Sequence, residues 1–233
     1  MGMTIWTHRG NPGAENALSG FQLAWKNGIN HFETDLQITK DGILVLSHDP
    51  DLLRLTGNSH QIIDLTLDQL QLYPIAGTDP WCTFEELINY FPLGNISIDL
   101  KSDEAVYPFI EMAKSYNHEN WVVGSFSSDR VRAVRNSLPD IKTALTPQEV
   151  LLIMLGRTPK GLTKGMHFAM VPPEQYGLPI VTKRFVQKCK SMDIKVFVWT
   201  INDEIEYQKM QELEIDGVIT DHHTIFLGSN HLK

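Results

Sequence analysis

The chain has 233 residues, 42% hydrophobic and 21% charged, with a net charge of −8; this is the composition of a folded globular protein and excludes a disordered one. The acidic balance argues against a general nucleic-acid binder, whose surface carries a basic excess, yet leaves an anionic small-molecule substrate open, because a local arginine, lysine or metal overrides the net field. Two distant cysteines, Cys82 and Cys189, suit neither a zinc site nor a disulfide framework; with no signal-peptide pattern at the start and no apolar run of membrane-spanning length, a cytoplasmic location without stable membrane insertion is expected.

In chain order, a strand is expected at 4–7, an amphipathic helix at 17–26 and a strand at 31–38. Asp41-Gly42 then marks a hairpin, so 43–47 reads as an arm beside the main sheet rather than as a parallel strand. Residues 50–80 are irregular and polar and read as a small loop cap. Further strands are expected at 96–100, 121–126, 142–145, 166–171, 195–200 and 217–220. Helices fall between them at 84–90, 105–116, 129–136, 183–192 and 203–211, with 146–165 left as a loop. Helix starts are signalled by Thr83 with Glu86, by Ser127 or Ser128, and by Asn202-Asp203-Glu204. Eight strands alternating with helices predict one TIM-type (β/α)8 barrel domain over residues 1–233, with the hairpin arm and the cap at its C-terminal face. An open doubly wound sheet would usually carry Gly-x-Gly-x-x-Gly after an early strand, which is absent.

Side chains alternate across a strand. Glu33, Asp35 and Gln37 therefore share one face of their strand, and Ser97, Asp99 and Lys101 share one face of the next barrel strand. Turned inward near the C-terminal ends, these residues lie where barrel enzymes place their chemistry. Glu33, Asp35 and Asp99 are three oxygen donors suited to Mg²⁺ or Ca²⁺, with Mn²⁺ also compatible; pairing of these carboxylates with Arg9 and Lys101 is the structural alternative. His8 and His48 are the proton-transfer candidates, since imidazole titrates near neutrality. Arg9 and Lys101 suit a phosphate. Phe126 and Trp199 end two strands and are candidates to wall the substrate pocket.

His8-Arg9-Gly10, Glu15-Asn16, Glu33-x-Asp35, Thr39-Lys40-Asp41-Gly42 and His48-Asp49 resemble, in order, the N-terminal signature of the glycerophosphodiester phosphodiesterases. Ile98-Asp99-Leu100-Lys101, Ser125-Phe126, Trp199-Thr200-x-Asn202 and Asp216-Gly217-Val218-Ile219-Thr220-Asp221 are similar to that family's later strand ends. The resemblance implies a barrel, one divalent cation, and hydrolysis of a small glycerophosphodiester to glycerol 3-phosphate and an alcohol. It implies His8 and His48 as general acid and base, Arg9 and Lys101 as phosphate contacts, and Glu33, Asp35 and Asp99 as metal ligands. Two positions depart: the family usually has glutamate where Asp99 stands, and threonine where Ala17 follows Glu15-Asn16. One alternative is a lysophospholipase D-type phosphodiesterase, which apolar loops facing a membrane would favour; no clear example stands out in the sequence. The other is a non-catalytic glycerol-phosphate-binding barrel, against which the pair of histidines argues. Nothing in the sequence marks an oligomeric state.

Overall fold

A ring of eight parallel strands organises the computed structural model, which describes residues 2–10 and 13–223. β1 (Thr4–His8) leads through α1 (Leu18–Lys26) to β2 (His31–Ile38) and then to β3 (Leu44–Leu46). The cap follows, with α2 (Leu53–Thr56), a 3-10 turn over Ile62–Asp64 and α3 (Leu67–Leu70). Next come α4 (Phe84–Tyr90), β4 (Asn95–Leu100), α5 (Val106–Ala113), β5 (Trp121–Gly124), α6 (Ser128–Ser137), β6 (Lys142–Ala144) and α7 (Pro147–Met154). β7 (His167–Val171) is followed by a two-stranded hairpin, β8 (Glu174–Gln175) and β9 (Leu178–Pro179). α8 (Lys183–Ser191), β10 (Lys195–Val198), α9 (Glu204–Glu212) and β11 (Gly217–Thr220) are the last elements among the described residues.

β1 pairs with both β2 and β11, so the order β1-β2-β4-β5-β6-β7-β10-β11 closes on itself. This is the expected barrel. β1 pairs with β2 only as far as His8 opposite Glu33. Beyond that point the free edge of β2 is taken up by β3, antiparallel, with Leu36 opposite Leu46 and Ile38 opposite Leu44. Unpaired backbone groups on a buried edge are costly, and the arm supplies their partners.

Three apolar clusters follow from this layout. The largest lies between the strands and the outer helices. Trp6, Phe197 and Ile219 fill the barrel interior, with Phe168, Met170 and Trp199 packed against them. Gly217 lets β11 pass close to β1 and to that plug, since a Cβ there would collide with the Thr4 carbonyl oxygen and meet the Phe197 ring at 2.9 Å. The third cluster belongs to the cap: Leu52, Ile62, Leu70, Ile75 and Trp81 pack on Ala17 and Val45.

Two segments differ from expectation. The cap is not a polar loop but a set of short helical turns around its own apolar core. Residues 146–165 begin with α7 instead of a loop: Thr146 and Glu149 form a reciprocal capping box, and Pro147 sits in the first turn, where its missing N–H costs nothing.

Candidate active site

The period of two along each strand stacks the barrel interior in layers. Two residues beyond Trp6, Phe197 and Ile219 come His8, Trp199 and Asp221. His8 Nδ1 lies 2.7 Å from Asp221 Oδ1. The other Asp221 oxygen accepts from Asn202 Nδ2 at 2.7 Å, and the Asp221 backbone N–H donates to Asn202 Oδ1 at 2.9 Å. The carboxylate is thus held on both sides and orients the ring, with His8 Nε2 directed to Glu33 Oε2 at 3.9 Å. Burial acts most strongly on His8 and opposes its protonation. Asp221 and Glu33 together outweigh burial and leave the imidazole more basic than usual.

His48 follows β3 and is held in the same manner, with Nδ1 2.7 Å from Asp49 Oδ1. Arg54 Nε, from the cap, donates to Asp49 Oδ2 at 2.6 Å. Burial works against the Asp49 charge, but His48 and Arg54 hold this carboxyl below its ordinary range.

Arg9 adopts a left-handed conformation, with φ of 52°. Such a backbone persists where its surroundings over-determine it. Here Arg9 N–H donates to the Glu33 carbonyl at 3.0 Å, and its own carbonyl accepts from Asn16 N–H at 2.7 Å. Gly10 continues the turn at φ of 82°, where a Cβ would press on Gly20 and Phe21 backbone at 3.1 Å.

Two cations share one carboxylate. Arg9 Nε is 2.9 Å from Asp35 Oδ2, and Lys101 Nζ is 2.9 Å from Asp35 Oδ1 and 2.6 Å from Asp99 Oδ2. Register explains the meeting, because Asp35 and Asp99 are opposite one another on β2 and β4. Burial disfavours the Asp35 charge, yet Lys101 and Arg9 hold its pKa below normal. Glu33 goes the other way, pushed up by burial and then by the charge of Asp35. Burial also raises Asp99, against the pull of Lys101. Asp99 Oδ1 is buried and has no hydrogen-bond partner among the described residues. Among those residues, no three His, Cys, Asp or Glu side chains converge as a ready-made metal cluster.

All nine residues singled out in the sequence, namely His8, Arg9, Glu33, Asp35, His48, Asp99, Lys101, Phe126 and Trp199, line one cavity of about 370 Å³ at the C-terminal end of the barrel. Phe126 and Trp199 meet edge to face with centroids 6.1 Å apart, and Lys101 Nζ lies 5.7 Å from the Phe126 ring centre. The supporting roles of Asp221, Asn202, Glu15 and Arg54 were not read from the residues. Asp221 had a usable signal, since it closes its strand as His8-Arg9 closes the first. Arg54 had none, its partners being brought to it by the fold.

A family model described as the glycerophosphoryl diester phosphodiesterase family matches residues 8–224. The chain is similar to a glycerophosphodiester phosphodiesterase of Caldanaerobacter subterraneus, 30% identical and covering 93% of each chain. It is 28% identical to the lysophospholipase D GDPD1 of Rattus norvegicus, covering 94% of this chain and 83% of that one. Among solved structures, a glycerophosphodiester phosphodiesterase of Thermotoga maritima matches with a TM-score of 0.77 at 27% identity, covering 98% of this chain and 99% of that one. No helix among the described residues is long and apolar enough to cross a membrane.

Proposed function

The chain belongs to the glycerophosphoryl diester phosphodiesterase family, and from that premise we propose that it hydrolyses glycerophosphodiesters to glycerol 3-phosphate and an alcohol, by paired-histidine catalysis at a divalent cation. The observation that carries the mechanism is the matched pair of imidazoles. His8 and His48 line one cavity, and each has Nδ1 held by its own aspartate, Asp221 or Asp49. This leaves both Nε2 atoms for proton transfer.

One histidine takes the proton of the attacking hydroxyl and the other protonates the departing alcohol; the two exchange roles in a second step. The attacking group is the glycerol 2-hydroxyl, giving a cyclic phosphate that water opens, because proximity favours it over a separate water. Arg9 and Lys101 turn to the phosphate oxygens and neutralise their charge as it redistributes. Phe126 and Trp199 pack on the carbon skeleton.

Glu33, Asp35 and Asp99 would hold the cation, Mg²⁺ or Ca²⁺, with Mn²⁺ compatible. The unpartnered Asp99 oxygen supports this, as does Glu33, whose carboxyl is raised by burial beside a second carboxylate. When bound, the cation supplies Lewis-acid stabilisation of phosphate charge.

The test is release of glycerol 3-phosphate from glycerophosphocholine and glycerophosphoethanolamine, with and without a chelator. Release that stops on chelation and returns with Mg²⁺ or Ca²⁺ is expected. Tight binding of glycerol phosphate without turnover would instead favour a non-catalytic barrel. Brisk turnover of a substrate lacking the 2-hydroxyl would exclude the cyclic route.

A further inference from the structure

Charge is spread unevenly along the chain. Residues 151–192 hold seven basic residues and one acidic residue, Glu174, a net of +6. The whole chain carries −8, so the remainder carries −14. Arg157, Lys160 and Lys164 stand in the connection between α7 and β7. Lys183, Arg184, Lys188 and Lys190 stand on α8.

The fold brings the two groups together. Lys188 Nζ donates to Thr158 Oγ1 at 3.0 Å. Arg184 lies so near Gly156 that a Cβ there would meet its Nη2 at 2.6 Å. α8 turns Phe185, Val186 and Cys189 into the core, which leaves its cations outward. All seven cations are exposed except Lys188, which is half-buried. Lys190 pairs with Glu214 at 3.1 Å, and among the described residues the other six form no ion pair. Asp193, whose carboxylate lies beside Gly165, offsets part of this charge. Like charges gathered on one face repel one another, and an anionic partner relieves that repulsion.

Exposed apolar side chains border the cations. Leu151 and Leu155, one turn apart at the end of α7, are 56% and 60% exposed, and Leu155 leads directly into Gly156. Tyr176 and Leu178 of the neighbouring hairpin region are 93% and 64% exposed, and with Leu151 they also line the apolar side of the catalytic cavity. A cationic face edged by leucine and tyrosine suits a lipid–water interface, where cations meet headgroup phosphates and apolar side chains reach the acyl boundary. A nucleic-acid duplex would answer the charge but leave the leucines in water.

We propose that the α7–α8 face docks the protein reversibly on an anionic lipid surface. The contact is peripheral, made by side chains at headgroup level. It is independent of the hydrolase reading, since docking requires no lipid to enter the cavity and no chemistry there.

The test is co-sedimentation of the full chain with vesicles of phosphatidylcholine alone and of phosphatidylcholine with phosphatidylglycerol, two to one. Binding is expected to the anionic vesicles only. It should weaken strongly between about 0.1 M and about 1 M salt, as the screening length falls from about 10 Å to about 3 Å. Each cation near such a surface is worth about fivefold in partitioning, so the triple variant Arg157→Gln, Lys160→Gln, Lys183→Gln should bind on the order of a hundredfold more weakly. Removing the same charge elsewhere, with Lys26→Gln, Lys114→Gln and Arg132→Gln, should leave binding within about twofold of the unaltered protein if the patch rather than net charge acts. Leu155→Ser should weaken binding by about tenfold. Circular dichroism confirms that each variant is folded; if the triple variant is not, the salt series and Leu155→Ser decide. Absence of binding to either vesicle overturns the proposal, as does equal binding to both. Equal losses in the two triple variants would assign the effect to net charge and overturn the patch. Binding to a random-sequence DNA duplex but not to the anionic vesicles would overturn the lipid surface in favour of nucleic acid.

Discussion

Arg54 clamps both carboxylate oxygens of Glu15, at 2.7 and 2.6 Å, while its Nε holds Asp49 at 2.6 Å. Asp49 fixes His48, and Glu15 also lies 3.5 Å from Arg9 Nη1. One cap residue therefore braces, from behind, the proposed proton carrier His48 and the proposed phosphate contact Arg9. Arg54→Met should lower kcat by roughly ten- to a hundredfold, the usual scale for losing an orienting partner. Arg54→Lys should recover only part of this, because an ammonium cannot reproduce the planar fork. Arg54 is itself nearly half exposed, so the change in stability should be about 1 kcal/mol or less. Denaturant titration alongside kinetics checks both; unchanged kcat would sink the bracing role.

His8→Ala and His48→Ala should each lose on the order of 10² to 10⁴ in turnover while staying folded. Steady-state kinetics with circular dichroism decides it. Near-normal activity in either variant removes that residue from proton transfer.

Asp221→Asn should shift the pH profile. Asp221 is one of the groups that raise the pKa of His8. Neutralising it lowers that pKa, so the limb of the pH–kcat/KM curve belonging to His8 should move to lower pH. A limb that stays in place would mean that His8 does not shape the profile.

Divalent cations should raise the melting temperature through binding to the native state, and a chelator should reverse this. Asp99→Ala should require more cation for the same rise. The raised pKa of Glu33 means that cation binding displaces a proton, so affinity should weaken as pH falls. Absence of any thermal response to Mg²⁺, Ca²⁺ and Mn²⁺ would remove the cation from this site.

His167 links acid to stability. Its Nε2 accepts from Thr163 N–H at 3.0 Å, and its Nδ1 lies 2.9 Å from the Thr143 hydroxyl. Only the neutral ring can accept that bond, and burial, followed by Arg135, lowers the pKa to about 4. The unfolded chain takes up this proton near 6.5, before the folded one does. The contribution is therefore full above about 6.5 and fades as pH falls toward about 4, by roughly 3 kcal/mol at most. Unfolding free energies across that range should fall less steeply in His167→Gln.

The eight barrel strands were legible because each is a short apolar run bounded by polar residues, and observed ends differ from expected ones by only one or two residues. Among the nine candidate residues, strand alternation assigns a face to Glu33, Asp35, Asp99 and Lys101, whereas His8, Arg9, His48, Phe126 and Trp199 were legible from their places at the ends of apolar runs. Asp221 was harder: it meets His8 from 213 positions away, and only closure of the ring brings β11 beside β1. The cap core was hidden because Leu52, Ile62, Leu70, Ile75 and Trp81 follow no regular period. α7 carried a readable start in Thr146-Pro147-x-Glu149, and missing it concealed the apolar side of the cavity.

The arm β3 has a consequence for cooperativity. Its alternate side chains divide between two cores, Leu44 and Leu46 facing the barrel and Val45 facing the cap. His8 stands on the barrel, whereas His48 stands at the seam between those cores. Small units with their own packing can open without global unfolding. A substitution in the cap interior, such as Trp81→Ala, would then act as an inactivating mutation in a protein whose barrel remains native, and hydrogen exchange would show the two regions losing protection separately.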